Sequence, residues 1–302
     1  MKIALSGSTG LVGKSLAQYF QSKGAAVIPI KRVTGIEGPQ RNYIPWNPRN
    51  QQFNLESLEG LDAVIHLAGA NIADRRWTKG YKKIIWDSRV QATQALSAAL
   101  AQLKKPPALF LCASAIGYYG AREAHELIDE NADPGQDFLA QLCVHWERAT
   151  QSAQKAGIRV VNMRLGVVLS PHGGALKKML PIFKLGLGGK LGTGKQMMSW
   201  IDLDEIPRAV DFLWQHRDIK GPVNFVSPQP VSNREFTKIF AKCLQRPAVL
   251  PAPAFALRLV LGEMADALLL NGAKIIPQKL IQNGYHFLYD DLERAVVQTL
   301  RK

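Results

Sequence analysis

The stretch Met1-Lys2-Ile3-Ala4-Leu5-Ser6-Gly7-Ser8-Thr9-Gly10-Leu11-Val12-Gly13 decides the fold. It predicts a short buried strand over residues 2–6, a glycine-rich turn, and a helix over residues 10–23. In such a loop Gly7 allows the tight turn, Gly10 lets the backbone approach a pyrophosphate, and Gly13 lets the helix pack on the sheet. The helix amino terminus offers free N–H groups and partial positive charge to a diphosphate. Strand, loop and helix in this order predict a dinucleotide site. The predicted contacts are Gly7, Ser8, Thr9, Gly10, Leu11, Val12 and Gly13.

The end of the next predicted strand, over residues 26–30, indicates which dinucleotide is bound. Units that bind NAD carry Asp or Glu about 20 residues past the loop, whereas binders of a 2′-phosphate place Arg there. Here Lys31 and Arg32 follow the strand, and no acidic residue occurs from Met1 to Ile36. The sequence therefore favours NADP, with both cations at its extra phosphate. The alternative is that they only keep the strand end soluble.

Strands and helices alternate along the first two thirds of the chain. This pattern predicts right-handed βαβ crossovers and an α/β fold with a doubly wound parallel sheet. The further predicted strands are 42–46, 62–67, 108–113 and 159–163, and the predicted amphipathic helical stretches are 79–103 and 137–156.

After about residue 170 the pattern changes. A glycine-rich stretch over 186–194 leads to predicted helices near 204–216 and 232–245, with a returning strand near 222–227 between them. The expected units are a dinucleotide-binding core over 1–170, interleaved substrate-region segments over 171–245, and a small, mostly helical C-terminal domain over 246–302.

Composition excludes several classes of protein. With 302 residues, 47% hydrophobic and 21% charged, the chain is unlike disordered, collagenous or coiled-coil proteins. Cys112, Cys143 and Cys243 lack CxxC spacing, which argues against a disulfide framework or a zinc site and fits a reducing cytoplasm. No uncharged apolar run approaches the ~18 residues of a membrane span, and the first residues leave no room for a signal-peptide core. We expect a cytoplasmic protein with no metal and no membrane partner.

The net charge of +14 is unevenly distributed. No Asp or Glu lies between Arg148 and Ile201. If the basic side chains there converge on a cleft, they favour a small anionic ligand; the alternative is a basic solvated surface. Nucleic acid is a weaker expectation, because Gly and aliphatic residues interleave with the charges. The nine basic residues are Arg148, Lys155, Arg159, Arg164, Lys177, Lys178, Lys184, Lys190 and Lys195.

Several later motifs carry a family resemblance. With the glycine loop, the segments 66–70 (His-Leu-Ala-Gly-Ala) and 114–120 (Ser-Ala-Ile-Gly-Tyr-Tyr-Gly) resemble the extended short-chain dehydrogenase/reductases. More narrowly, the chain resembles the bacterial epimerase family proteins, predicted NAD(P)-dependent nucleoside-diphosphate-sugar epimerases with a C-terminal domain of unknown function. The motifs that carry this narrower resemblance are Arg75-Arg76-Trp77-Thr78, Ser88-Arg89-Val90, Asp137-Phe138-Leu139-Ala140, Ser199-Trp200-Ile201, Arg246-Pro247 and Leu261-Gly262-Glu263-Met264-Ala265.

The resemblance implies a Rossmann core that binds NADP and a smaller C-terminal region that closes over a substrate. It implies that Ser114, at the end of its strand, faces the nicotinamide. Arg89 is a further candidate for the cofactor, with a structural ion pair as the open alternative. The other implied contacts are Leu67, Ala68 and Gly69 through their backbone, and Leu165, Gly166 and Val167, with Val168, beside the nicotinamide ring.

The catalytic pair of that superfamily is absent. Its Tyr-x-x-x-Lys places both side chains on one helix face, and the ammonium lowers the phenol pKa for proton exchange. Here the best-aligned positions are Cys143 and Glu147. Either could move a proton if the site shifts its pKa. The alternatives are a small core residue for Cys143 and a salt bridge to Arg148 or Arg164 for Glu147.

Other tyrosines are considered for the missing phenol. Tyr118 and Tyr119 lie close in sequence to Ser114 and could supply it. The only Tyr-x-x-x-Lys, from Tyr19 to Lys23, follows the glycine loop on the first helix and is interpreted as chance.

Three hypotheses follow. The first is an NADP-dependent oxidoreductase, epimerase or dehydratase that acts on a sugar nucleotide or other phosphorylated metabolite, with Ser114, Cys143 and Glu147 as catalytic candidates. The second is a non-catalytic NADP(H)-binding sensor or scaffold, because Tyr and Lys are lost. The third, nucleic-acid binding, rests on charge alone. The sequence does not predict the oligomeric state.

Overall fold

The computed structural model describes residues 1–33, 42–47 and 52–301. Most strands are short and belong to one central sheet. They are β1 (Lys2–Ser6), β2 (Ala26–Arg32), β3 (Ile44–Asn47), β4 (Gln52–Phe53), β5 (Ala63–His66), β6 (Leu109–Ala115), β7 (Leu127–Ile128), β8 (Arg159–Leu165), β9 (Val167–Leu169), β10 (Met197–Met198), β11 (Trp200–Asp202), β12 (Gly221–Phe225), β13 (Val231–Ser232) and β14 (Lys274–Ile275).

Helices flank the sheet and form most of the C-terminal part. They are α1 (Leu11–Ser22), α2 (Lys79–Asp87), α3 (Val90–Leu100), α4 (Phe138–Arg148), α5 (Gln151–Lys155), α6 (Gly174–Lys184), α7 (Glu205–Gln215), α8 (Asn233–Leu244), α9 (Ala254–Leu261), α10 (Glu263–Ala265), α11 (Gln278–Gln282) and α12 (Leu292–Leu300). Short 3₁₀ turns cover Glu56–Leu58 and Ile116–Tyr119, and a π-helical turn covers Asp266–Leu270.

The central sheet has the order β12-β8-β6-β5-β1-β2-β3-β4. Its first seven strands are parallel, and β4 pairs antiparallel with β3 at one edge. The chain winds outward from β1 in both directions, so the carboxyl ends of β1 and β5 flank the crevice where such sheets bind ligands. The predicted α/β fold with a doubly wound parallel sheet is confirmed.

Both faces of the sheet are covered by apolar side chains. On one face Leu16 and Phe20 of α1 and Leu213 of α7 pack against the strands. On the other face Leu96 and Leu100 of α3 do the same. Because β5 and β6 are buried on both sides, their sequences are continuous apolar runs rather than alternating ones.

Two predicted helical stretches are each divided in two. Residues 79–103 form α2 and α3, and residues 137–156 form α4 and α5. At the first break the Ser88 hydroxyl donates to the Ile85 carbonyl and accepts from the Ala70 N–H. At the second, Thr150 donates to the Glu147 carbonyl. Such local side-chain bonds compete with the helical pattern.

Helix α6 has no predicted counterpart. It begins at Gly174 and contains Pro181, two residue types that normally disfavour helices. Its buried residues Leu176 and Phe183 pack with Phe236 and Phe240 of α8 in a second core. Tertiary packing thus outweighs local propensity here. The division of the chain at residues 170 and 245 stays a prediction.

A buried carboxylate fastens the C-terminal part to the sheet domain. Glu205, at the start of α7, accepts hydrogen bonds from the Tyr285 hydroxyl and from the N–H groups of Leu288 (2.8 Å) and Tyr289 (3.2 Å). Burial raises the pKa of the Glu205 carboxyl, and these donors partly offset that rise. The three donors lie about eighty positions later in the chain, so Glu205 ties two distant segments together.

We predict that Glu205→Ala lowers the free energy of unfolding by about 2–4 kcal/mol, because several buried donors lose their acceptor. Urea denaturation followed by circular dichroism measures this. Glu123→Ala, at an exposed position, is the matched control and should change stability by less than about 0.5 kcal/mol. Equal stability of the two variants would contradict the anchoring role.

Candidate cofactor and active site

The glycine loop between β1 and α1 is held by very close backbone contacts. Gly7 has φ +69°, and a Cβ there would lie 2.9 Å from the Leu67 carbonyl carbon. A Cβ on Gly13 would lie 2.1 Å from the Gly7 oxygen. Gly10 donates from its N–H to the same Gly7 carbonyl at 3.0 Å. Glycine is therefore required at both ends of the loop, as the sequence predicted.

The amino terminus of α1 has the properties of an anion site. Its N-cap is Gly10, which makes no side-chain capping bond, and the first turn contains no acidic residue. The first N–H groups of a helix lack intrahelical partners, and the helix dipole adds positive potential there. The residues present therefore fit the diphosphate of a dinucleotide.

Ser6 and His66 support this loop, and sequence reasoning missed both roles. The Ser6 hydroxyl oxygen accepts hydrogen bonds from the N–H groups of Leu67 (3.1 Å) and Ala68 (3.2 Å) and lies 2.7 Å from His66 Nδ1. Since that oxygen already accepts two bonds, its proton is donated to Nδ1. Burial lowers the pKa of His66 to about 4. The ring is thus neutral, with its proton on Nε2, which has no partner among the described residues.

A cavity of about 540 Å³ opens at the carboxyl ends of β1, β5, β6 and β8. The core side contributes the glycine loop, Ser114 and the segment after β8, while the opposite wall comes from α6 and, for the most part, from residues after 190. The predicted site residues that line the cavity are Gly7, Gly10, Leu11, Val12, Gly13, Leu67, Arg89, Ser114, Cys143, Leu165, Gly166 and Val167. Those that do not line it are Ser8, Thr9, Lys31, Arg32, Ala68, Gly69 and Glu147.

Lys31 and Arg32 lie at the exposed end of β2. The register pairs Ser6 of β1 with Ile30 of β2, so the two cations follow on the strand next to the glycine loop. The Lys31 ammonium lies 5.0 Å from the centre of the Tyr43 ring. Neither cation lines the cavity.

Arg89 precedes α3 and faces the cavity. Its guanidinium carbon lies 3.2 Å from the position that a Cβ on Gly69 would occupy and 5.1 Å from the centre of the Trp146 ring. Its Nη1 donates to the Ile85 carbonyl at 3.3 Å. No described carboxylate forms an ion pair with it, and burial lowers the pKa of its guanidinium. A half-buried cation without a counter-ion fits an anionic ligand better than a structural ion pair.

Ser114, Glu147 and Arg164 form a buried polar cluster under the cavity. The Ser114 hydroxyl donates to Glu147 Oε1 at 2.7 Å. Arg164 donates to the same carboxylate through two nitrogens, Nε at 2.8 Å and Nη2 at 2.9 Å. Such bidentate pairs are strong and directional. Glu147 therefore forms the salt bridge to Arg164 that was one of the two alternatives, and it also fixes the Ser114 hydroxyl.

Cys143 occupies the position of the missing tyrosine. It is buried and lines the cavity. Burial first, and the nearby Glu147 charge second, raise the pKa of its thiol to about 12. At neutral pH the thiol stays protonated, so its contribution is a small, weakly polar wall.

Tyr118 and Tyr119 contact Arg164 and do not supply the missing phenol to the cavity. The Arg164 guanidinium lies 3.4 Å from the centre of the Tyr118 ring. Tyr119 is buried, accepts from Arg164 Nη1 at 2.8 Å and donates to Asn224 at 2.7 Å. Burial raises the pKa of the Tyr119 phenol to about 12. Both rings thus hold Arg164 in place and do not enter the cavity.

The Tyr-x-x-x-Lys motif of α1 connects this helix to α7. Tyr19 and Lys23 both donate to the Asp211 carboxylate of α7, at 3.3 Å and 2.5 Å respectively. Neither residue lines the cavity.

The acid-free basic segment does not converge on the cavity. None of its nine basic residues lines it. Arg164 pairs with Glu147, and Arg159 Nη1 donates to three carbonyls at the end of α7 and beyond, those of Leu213, His216 and Ile219. Most of the others are exposed. The segment is therefore a basic surface, which was the alternative expectation.

The outer wall of the cavity is largely apolar and was missed from the sequence. Its residues come from segments that are far apart in sequence and form one surface only in the folded chain. The Gln196 amide bridges this wall by donating to the carbonyls of Leu191 (3.1 Å) and Leu269 (2.8 Å). The wall consists mainly of Met179, Leu191, Gln196, Met197, Met198, Ser199, Asn233, Ala267, Leu268, Leu269, Asn271, Gly272, Ala273 and Ile275.

Two further kinds of site are absent from residues 1–33, 42–47 and 52–301. No helix within these ranges has both the length and the apolar character to cross a bilayer. The same ranges contain no group of three or more His, Cys, Asp or Glu side chains arranged to hold a metal ion.

Comparison with known proteins identifies the family that the chain resembles. Residues 3–226 match the NAD dependent epimerase/dehydratase family, and residues 252–299 match a domain of unknown function, DUF1731. Epimerase family protein Mb2239 of Mycobacterium bovis is 42% identical over 294 residues, which cover 97% of this chain and 96% of the relative. The resemblance read from the motifs is therefore confirmed.

Solved structures are similar over the whole chain. The human epimerase family protein SDR39U1 (isoform 2), crystallised with NADPH, has a TM-score of 0.89 and 30% identity, with 100% of this chain and 99% of that chain covered. A nucleoside-diphosphate sugar epimerase from Corynebacterium glutamicum has a TM-score of 0.78 and 31% identity, with 99% of this chain and 58% of that chain covered. The Rossmann core is thereby confirmed.

We predict that Gly13→Ala lowers the affinity for NADPH at least tenfold, because its Cβ would meet the Gly7 carbonyl and distort the loop. Gly24→Ala is a control in a second turn, where a Cβ meets nothing within 4 Å although φ is +78°. It should cost some stability but leave binding unchanged. Fluorescence titration with NADPH measures both. Equal affinities of the two variants would argue against a phosphate site at this loop.

Proposed function

The chain belongs to the NAD dependent epimerase/dehydratase family, and from this premise we propose that it is an NADP-dependent oxidoreductase or epimerase. The observation that carries the proposal is the uncapped amino terminus of α1, which opens with the glycine loop into a cavity that also contains Ser114. A dinucleotide whose diphosphate bound at this helix would share the cavity with Ser114 at the end of β6. We place the protein in the cytoplasm, since all three cysteines are free thiols.

Several groups of residues would hold the cofactor. In the proposal the loop from Gly7 to Gly13 and the segment from Leu67 to Gly69 bind through their backbone, and Arg89 contributes a cation. Lys31 and Arg32 bind the 2′-phosphate, which is the reason for proposing NADP. The bound NADPH of the human relative supports the choice of dinucleotide. Leu165, Gly166 and Val167 then flank the nicotinamide ring.

When bound, NADP supplies the site with an acceptor or donor of hydride. In the proposed chemistry the Ser114 hydroxyl, oriented by Glu147, receives the proton of a substrate hydroxyl and passes its own proton to Glu147. Arg164 holds the Glu147 carboxylate in position through two hydrogen bonds. Cys143 forms part of the wall beside the reacting atoms. Ser114 and Glu147 thus replace the phenol and ammonium of the superfamily.

The proposed substrate is a sugar nucleotide or another small phosphorylated metabolite. The name of the C. glutamicum neighbour, a nucleoside-diphosphate sugar epimerase, supports this class. Among the described residues, the formally charged side chains that line the cavity are Arg89 and Asp137. A substrate diphosphate would therefore rely on uncharged donors of the outer wall.

A second candidate function is a non-catalytic sensor or scaffold that binds NADP(H). The observation that favours it is the bidentate ion pair between Arg164 and Glu147, which engages both oxygens of the carboxylate with a structural partner. In this alternative NADPH binds tightly, and no alcohol or sugar nucleotide is turned over.

We predict that Arg32→Ala weakens NADPH binding about 10- to 100-fold and leaves NADH binding within about twofold. One charge-assisted hydrogen bond to the 2′-phosphate is worth about 1.5–3 kcal/mol. Isothermal titration calorimetry with both nucleotides measures the change. Arg148→Ala, which removes an exposed cation on α4, is the control. A parallel loss for both nucleotides would show that Arg32 does not contact the extra phosphate.

We predict that Ser114→Ala lowers kcat about 10²- to 10⁴-fold on whichever substrate of a sugar-nucleotide panel the protein turns over, with NADPH affinity retained. Cys143→Ala is the matched control and should change kcat by only a few-fold, since its thiol stays protonated. Absorbance of the nicotinamide at steady state gives both values. If the wild-type protein binds NADPH but turns over nothing in the panel, the non-catalytic candidate is favoured instead.

A further inference from the structure

The most exposed apolar side chains are gathered in one part of the fold. Among the described residues, every large hydrophobic side chain that is at least 70% exposed belongs to the region from α6 to α9. Ile182, Leu187 and Leu250 of this region are also at least half exposed. Single exposed apolar residues are ordinary on protein surfaces, but a concentration of them marks an interaction site. The five most exposed are Leu185 (74%), Val249 (75%), Phe255 (73%), Leu259 (76%) and Val260 (70%).

These residues come from two chain segments that are joined by backbone hydrogen bonds. The Leu250 N–H donates to the Gly188 carbonyl at 3.1 Å, and the Ala252 N–H donates to the Lys190 carbonyl at 2.9 Å. Helix α9 begins directly after this pairing and contains no buried residue, although its sequence is Ala-Phe-Ala-Leu-Arg-Leu-Val-Leu. We call residues 182–190 together with 246–260 the basic-apolar surface.

Most cations of this surface form no ion pair. No Asp or Glu occurs between Arg148 and Ile201 or between Glu235 and Glu263. Arg258 pairs with Asp266 at 2.8 Å, and Lys242 of the neighbouring α8 pairs with Glu293 at 2.7 Å. The exposed or half-exposed cations on or next to the surface that form no ion pair with a described carboxylate are Lys177, Lys178, Lys184, Lys190 and Arg246; Lys178 and Arg246 donate only to backbone carbonyls.

The positive charge and the exposed apolar side chains of this surface together indicate which kind of partner it binds. A second copy of this chain, docked about a two-fold axis, would bring the same five cations of both copies together without acids between them, which is unfavourable. Nucleic acid would satisfy the cations but would leave Phe255, Leu259 and Val260 without apolar contacts. An anionic bilayer surface provides both phosphate groups and an acyl region.

We propose that the basic-apolar surface binds the anionic surface of a phospholipid bilayer, with α9 lying in the interface and its apolar side chains reaching the acyl boundary. This differs from the sequence-based expectation of no membrane partner. That expectation tested only continuous apolar runs, whereas this surface is assembled from residues more than sixty positions apart. The proposed membrane binding does not depend on the proposed chemistry at Ser114.

The test is co-sedimentation of the full chain with vesicles of phosphatidylglycerol and phosphatidylcholine, compared with vesicles of phosphatidylcholine alone. We expect binding to the anionic vesicles only, and at least a tenfold loss in partitioning for Phe255→Ser/Leu259→Ser, because each side chain leaves an apolar environment. Lys184→Glu/Arg246→Glu should also weaken binding, as should high salt. The control Ile84→Ser/Leu127→Ser removes exposed apolar groups elsewhere and should bind like the wild type.

Retained NADPH affinity and an unchanged Tm show that each variant is folded. No binding of the wild type to anionic vesicles at low salt overturns the proposal. Equal loss in the control variant overturns it as well. So does light scattering that shows a wild-type dimer which Phe255→Ser/Leu259→Ser converts to a monomer, because the surface would then be covered by a second copy.

Discussion

The close approach of three backbone segments at the carboxyl end of β1 is the constraint on which the rest of the structure depends. Gly7 contacts the chain after β5, and Gly13 packs its α1 backbone against Gly7, at separations that exclude any Cβ. The Ser6 hydroxyl fixes the third segment by accepting from Leu67 and Ala68. With these contacts in place, α1 points its uncapped amino terminus into the crevice. The anion site is thus a consequence of packing and needs no charged side chain.

The polar cluster of Ser114, Glu147 and Arg164 determines which proton transfers the site could support. In the superfamily an ammonium tunes a phenol, whereas here Arg164 neutralises Glu147 and Glu147 orients Ser114. Removing either Arg164 or Glu147 would leave the other charge buried without a partner, which is strongly destabilising. Each residue of the pair is therefore needed to keep the other in place. As in the Tyr and Lys pair, a fixed cation lies beside an acidic group. The difference is that Glu147 does not line the cavity, and Ser114 is the member of the cluster that does.

The sequence predicted the parallel sheet and the glycine loop, because each is encoded within a few neighbouring residues. Gly13 can be recognised from spacing alone, and the buried strands from continuous apolar runs. It did not predict α6, whose Gly174 and Pro181 oppose a helix until Leu176 and Phe183 are packed against α8. The outer cavity wall and the basic-apolar surface were missed for the same reason, since each joins segments far apart in the chain.

The central claim is that the α1 amino terminus and the end of β2 together bind a dinucleotide with an extra ribose phosphate. Calorimetric titration of nucleotide-free wild-type protein with NADPH and, separately, with NADH tests it most directly. We expect saturable one-to-one binding of NADPH with at least tenfold higher affinity than that of NADH. No heat of binding with NADPH, or a preference for NADH, would contradict the account.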